Sequence, residues 1–205
     1  METILKYFSD FTPAQLSQFE SLKLLYEDWN QKINVISRKD MDHFYLHHVL
    51  HSLTIAAGFE FPDNYEVLDL GTGGGFPGVP LAIMFPNVNF LLADSINKKL
   101  KVVSAVSETL GITNITVRHT RAEEIKNRKF DVVVSRAVAP LGDLWRWSKP
   151  LLRRTSNQPN GLICLKGGDL TKEIFESGCK PHVWEINGFF EEDYFKEKFL
   201  LYQKV

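Results

Sequence analysis

Glu66-Val67-Leu68-Asp69-Leu70-Gly71-Thr72-Gly73-Gly74-Gly75-Phe76-Pro77-Gly78 reads as a short apolar strand, with an acid near its end, that runs straight into a glycine-rich turn. Glycine tolerates φ > 0 and has no Cβ, so such a turn brings bare backbone close to a ligand. The helix predicted next, Val79 to Phe85, points its amide end at whatever the turn holds. The stretch predicts the first strand, turn and helix of an α/β fold that binds a nucleotide-like cofactor.

Two cofactor classes compete for this turn, because Gly73, Gly75 and Gly78 also have the GxGxxG spacing of dinucleotide-binding folds. A third reading is a turn whose glycines only pack. An acid at Asp69 opposes a pyrophosphate, whereas S-adenosylmethionine carries a positive sulfonium and an α-amino group and no phosphate. Asn89-Phe90-Leu91-Leu92-Ala93-Asp94 reads as a second strand ending in an acid, where a ribose diol needs a carboxylate acceptor. Both cofactor classes use that second acid, so Asp69 alone favours the methyl donor. Gly71, Gly73, Asp69 and Asp94 are the binding candidates at this point.

Outward from the turn, strands are predicted over Glu66–Leu70, Val88–Ala93, Ile115–His119, Phe130–Ser135 and Leu162–Lys166. Helices alternate with them near Val79–Phe85, Asn97–Leu110, Leu141–Leu151 and Leu170–Phe175. That alternation is an α/β, Rossmann-like doubly wound sheet, mostly parallel. His182–Asn187 and Lys198–Lys204 read as strands joined without a helix, and so as an antiparallel C-terminal closure. On the N-terminal side, Thr12-Pro13-Ala14-Gln15 signals a capped helix that continues to about Trp29 with an apolar face, and a second helix is expected from Asp40 to Ala57. Residues 1–64 are therefore expected to be a helical extension packed on a core of residues 65–205.

The chain has 205 residues, 44% of them hydrophobic and 24% charged, which excludes a disordered or fibrous protein. It has no apolar run of about 18 residues and no basic-then-apolar start, so a cytoplasmic protein with no membrane contact is expected. The two cysteines, Cys164 and Cys179, are too few for a disulfide framework. The net charge of −1 conceals a basic middle: residues 98–154 hold 13 Lys and Arg against 5 Asp and Glu. Such a segment suits a polyanionic partner, or is an ordinary solvated surface.

Several segments together resemble the RsmG (GidB) methyltransferases. They are Val67 to Ala82 across the glycine turn, Ala93-Asp94-Ser95 with Lys98-Lys99, Arg121-Ala122-Glu123-Glu124, Val134-Ser135-Arg136-Ala137 and Leu165-Lys166-Gly167, in matching order and spacing. The resemblance extends from the connector at Asn34 to the closing strands, although His51 stands where the family often has Asp. It implies a class I methyltransferase fold and transfer of a methyl group from S-adenosylmethionine to N7 of a guanosine in 16S, small-subunit ribosomal RNA. The RNA would be naked or within the assembled subunit, and the enzyme a monomer. It also implies that Gly71 and Phe76 line the methionine and adenosine part of the pocket, that Asp94 holds the ribose, and that Ala122 and Glu123 meet the adenine. Arg136 would sit at the cofactor's open edge facing the RNA and serve as the catalytic contact. From the residues alone, Glu123 also reads as a solvated loop acid and Arg136 as a structural ion pair.

Guanine N7 has an exposed lone pair and needs no deprotonation, so alignment suffices and no catalytic dyad is expected. An amino-group methylase would carry an Asn/Asp-Pro-Pro-aromatic loop where this chain has Ser135-Arg136-Ala137-Val138-Ala139-Pro140. His43, His47 and His51 have i, i+4 spacing with His48 beside them; without an acidic partner segment they are expected to pack or touch RNA, and no metal is predicted. RNA contacts are expected from Arg38, Lys39, His47, His48, Lys98, Lys99, Arg118 and Arg121. A methyltransferase acting on a small molecule or a protein is the alternative the cofactor residues permit equally.

Overall fold

A computed structural model of the chain describes residues 1–155 and 157–205. Its strands are β1 (Glu66–Leu70), β2 (Asn89–Asp94), β3 (Ile115–His119), β4 (Val132–Arg136), β5 (Gly161–Gly167), β6 (His182–Glu185) and β7 (Lys198–Lys204). They form one sheet in the order β3-β2-β1-β4-β5-β7-β6. The first five strands are parallel, and β7 lies antiparallel between β5 and β6. The predicted closing hairpin is present, with β6 ending at Glu185 because Ile186–Gly188 turns into a 3-10 segment.

The helices are α1 (Glu2–Leu5), α2 (Pro13–Lys32), α3 (Arg38–Met41), α4 (His51–Gly58), α5 (Gly78–Met84), α6 (Asn97–Thr109), α7 (Leu141–Ser148) and α8 (Thr171–Ser177). α2 begins as its sequence dictates: Gln15 N–H donates to Thr12 Oγ1 at 3.3 Å, and Thr12 N–H donates to Gln15 Oε1 at 2.9 Å. Its buried side chains, Phe19, Leu22 and Tyr26, recur at three and four residues. Each contributes roughly 1.5–3 kcal/mol to holding the helix down.

The expected second helix from Asp40 to Ala57 is corrected. Ser37 caps the short α3, the chain turns at Asp42 and His43, and Tyr45–Leu50 is wound as a π-helix before α4. The wider turn shifts the register beyond Tyr45, while His43 and His47 still stack one turn apart at 4.8 Å.

Alternation along the strands sorts the apolar residues onto two faces. Val67, Phe90, Leu92, Val132 and Val134 join one core with Phe19, Leu22, Tyr26, Phe44, Val79 and Val103, so the N-terminal helices, α5 and α6 cover that face. Leu68, Leu70, Leu91, Val133 and Cys164 join the other core, beneath α7. The same alternation aims Asp69 and Arg136 toward the first face, and this decides their roles. Among the described residues no helix is long and apolar enough to cross a membrane.

Candidate functional site

The turn after β1 is held from below. Asp69 is fully buried; its Oδ2 accepts Thr72 Oγ1 at 2.6 Å and the Gly78 N–H at 2.8 Å. A Cβ on Gly78 would lie 2.6 Å from that same oxygen, so this glycine is required by packing. The expectation that Asp69 faces the cofactor's positive groups is therefore corrected. The pleat of β1 turns its carboxylate under the turn, where it ties the loop to the start of α5. Burial pushes its pKa up to about 7, and Oδ1 has no hydrogen-bond partner among the described residues.

Above the turn the geometry is open. Gly73 has φ +57°, and a Cβ there would meet nothing within 4 Å. A cavity of about 430 Å³ lies over Gly71–Gly74, walled by Phe76, Asp94, Lys99, His48, Arg136 and Val138. It continues into one of about 260 Å³ lined by Gly71, Asp94, Ala122, Glu123, Val138 and Trp147. Asp94, at the end of β2, belongs to both. Its Oδ2 accepts the Gly73 N–H at 2.8 Å and its Oδ1 the Ile96 N–H at 2.8 Å. A carboxylate has about four lone-pair sites, so two remain for a diol. Bare turn, strand-end acid and adjoining slot have room and acceptors for a nucleoside: Asp94 keeps free lone pairs at the junction, and Ala122, Glu123 and Trp147 line the slot.

At the other end stands Arg136. Its Nη1 donates to the His47 carbonyl at 3.0 Å, its Nη2 to His48 Nδ1 at 3.0 Å, and its guanidinium lies 5.2 Å from the centre of the Phe76 ring. The π-helical turn supplies both acceptors. Because His48 Nδ1 accepts, the neutral ring carries its proton on Nε2. Burial first, and then Arg136, pushes the His48 pKa down to about 3. Among the described residues no carboxylate lies within ion-pair distance of Arg136, which removes the structural ion-pair reading. Ala137 follows with φ +52°, a left-handed conformation that costs an alanine about 1–2 kcal/mol and sets Val138 against Gly71. On the far side, Tyr26 Oη donates to the Gly74 carbonyl at 2.6 Å, so α2 braces the turn.

The remaining sequence candidates divide. Arg38, Lys39, Lys98, Arg118 and Arg121 are exposed. Lys99 is half-buried and lines the cavity over the glycine turn, as does His48. His47 is engaged within the protein: its Nδ1 lies 3.0 Å from Asp40 Oδ1 and its ring stacks on Tyr194 at 3.9 Å. His51, 8% exposed, meets Tyr194 and Phe195 edge-on. His47 and His51 share Tyr194, and no group of three metal-ligating side chains forms among the described residues. Sequence reasoning missed Tyr26, which braces the turn, and Val35, Val138 and Trp147, which line the two cavities; they are ordinary apolar or aromatic residues without a local signal.

These buried groups predict how stability follows pH. Burial, and then Arg136, holds the His51 pKa well below its ordinary value, in the same direction as His48. The unfolded histidines bind protons below about pH 6.5 and the folded ones do not, so their contribution is full above that pH and is lost as pH falls. Asp69 acts oppositely between about pH 4 and pH 7, and two histidines outweigh one carboxyl. The urea midpoint is expected to fall between about pH 7.5 and about pH 5, and His51→Leu should lessen that fall. Equal falls in both proteins would refute it.

A mostly parallel sheet with β7 reversed, a glycine turn after β1 and an acid ending β2 define a class I methyltransferase. In keeping with this, an S-adenosylmethionine-dependent methyltransferase from Aquifex aeolicus superposes with a TM-score of 0.57 at 15% identity, covering 82% of this chain and 98% of that one. Residues 15–192 match the GidB family, described as rRNA small subunit methyltransferase G. Proteins named ribosomal RNA small subunit methyltransferase G are similar over nearly the whole length. That of Phocaeicola vulgatus is 53% identical over 100% of this chain and 99% of its own. That of Porphyromonas gingivalis is 55% identical over 98% and 92%. The chain belongs to the GidB family.

Proposed function

We propose that this protein transfers a methyl group from S-adenosylmethionine to N7 of a guanosine in 16S, small-subunit ribosomal RNA. The observation that carries the reading is an arginine without an ion pair on the same cavity as the strand-end acid and the open glycine turn, in a chain of the GidB family. S-adenosylmethionine supplies a methyl group activated on a sulfonium. Asp94 and the Gly71–Gly73 backbone hold and orient the nucleoside part; Ala122, Glu123 and Trp147 border the base. Two of the five N–H donors of Arg136 are used by the π-helical turn, leaving three for an RNA phosphate or the guanine edge. His48 stays neutral at physiological pH and adds no charge beside a purine that becomes cationic on methylation.

The chemistry needs no base, and the cavity offers no activated nucleophile. Cys164 lies within β5, and burial pushes its thiol up to about 12, which disfavours a cysteine-dependent cytosine methylation. The test is transfer from labelled S-adenosylmethionine to unmethylated small ribosomal subunits and to naked small-subunit RNA, followed by nucleoside analysis. Label is expected in N7-methylguanosine. Transfer to neither substrate, despite tight cofactor binding, would sink the assignment in favour of a small-molecule or protein substrate.

A further inference from the structure

A second cavity, of about 860 Å³, is not the cofactor site: it contains neither the glycine turn nor a strand-end acid. It runs between the segment after β3 and the end of α7, and four cations line it, Lys126, Arg128, Lys129 and Arg146, against one acid, Glu123. Its apolar floor includes Trp147 and Pro150. The groove shares Ala122, Glu123 and Trp147 with the base end of the cofactor cavity, so the two are neighbours.

The cations differ in how far they are committed. Arg128 pairs with Glu66 at 2.8 Å and lies over Phe130, which makes it structural. Arg146 pairs with Asp143 at 2.9 Å, but its side chain is 70% exposed, and such a surface pair is readily exchanged for another anion. Lys129 donates to the Pro150 carbonyl, leaving two ammonium protons free, and Lys126 has no side-chain partner among the described residues. Three of the thirteen cations in the basic middle of the sequence are thus available on one concave wall. The guanidinium of Arg146 sits 5.9 Å from the Trp147 ring, which places a cation beside an aromatic face. Cations that track a backbone beside an aromatic platform are what single-stranded nucleic acid binds.

We infer that this groove binds the sugar–phosphate backbone of ribosomal RNA flanking the target nucleotide, through Lys126, Lys129 and Arg146 with Trp147 as a stacking surface. The inference rests on the RNA-methyltransferase reading and adds the path of the strand. Because the groove adjoins the base end of the cofactor rather than the Arg136 end, the strand it holds is a neighbour of the guanosine that reacts.

The test removes three charges, Lys126→Ala, Lys129→Ala and Arg146→Ala together, and compares them with Lys172→Ala, Lys180→Ala and Lys204→Ala on exposed positions elsewhere. Each phosphate contact contributes about 0.7 to the slope of log affinity against log salt on a single strand, so the groove variant should lose about 2 from its slope. Its KM for small subunits should rise at least about tenfold with kcat and S-adenosylhomocysteine affinity unchanged, and the control triple variant should match the wild type. Lys126→Glu alone, at an exposed side chain, should move both readouts in the same direction and serves if the triple variant folds poorly. An unchanged slope and KM would overturn the groove assignment while leaving the activity standing. A raised KM for assembled subunits with unchanged affinity for naked RNA would overturn it in favour of an acidic ribosomal protein. No methyl transfer by the wild type would overturn both readings.

Discussion

Replacing Asp94 by alanine is expected to weaken binding of S-adenosylmethionine and S-adenosylhomocysteine at least about 100-fold, while the protein stays folded. The carboxylate already accepts the backbone N–H groups of Gly73 and Ile96, so it is held in one orientation with its remaining lone pairs over the cavity. Two hydroxyl donors on a charged acceptor contribute roughly 1.5–3 kcal/mol each, and loop order is lost as well, so about 3 kcal/mol is a lower bound. The fold survives because Gly73 is half-exposed and Ile96 exposed, and water can take up both donors. Asp94→Asn keeps one acceptor oxygen and should lose about tenfold. Titration calorimetry with S-adenosylhomocysteine decides, and an affinity for Asp94→Ala within about threefold of wild type would show that the ribose is held elsewhere.

Much of this arrangement is legible in the chain because it depends on local rules. Strand period, the Thr12 and Gln15 cap and the glycine cluster each act within a few residues, and they recover the order of strands and helices and the reversal of the last pair. Asp94 faces the cavity because it ends its strand. Asp69 is misread: proximity to the turn says nothing about which side of the sheet a side chain takes. Val67 and Leu68 lie in opposite cores, and that alternation, once followed one residue further, places Asp69 under α5 instead of over the turn. The histidines are a different case. They pack, as one reading of the sequence expects, but the π-helical winding of Tyr45–Leu50 has no local signal: it arises where this segment meets Arg136, a residue 88 positions away from His48. Trp147 and the basic groove depend on where α7 lands beside the segment after β3, which no short window contains.

Arg136→Lys is expected to lower kcat/KM for small subunits by at least about 100-fold, or about 2.7 kcal/mol, with cofactor affinity within about threefold of wild type. Lysine keeps the charge, so the substitution separates charge from shape. A guanidinium can satisfy the His47 carbonyl and His48 Nδ1 together, lie flat on Phe76 and still present donors to the cavity. An ammonium has three donors on a point, and once it serves the two acceptors of the π-helical turn it has one left and no plane to stack. If Arg136 meets the target nucleotide, most of the loss belongs in the step that commits RNA to reaction, and the salt dependence of binding changes little because the net charge is preserved. If it only braces the π-helical turn against the sheet, thermal stability and cofactor affinity should fall in proportion to activity, since His48 and Phe76 wall the cofactor cavity. Retention of more than about a third of wild-type kcat/KM by Arg136→Lys would show that the planar fork is not needed and that charge near the cavity is sufficient.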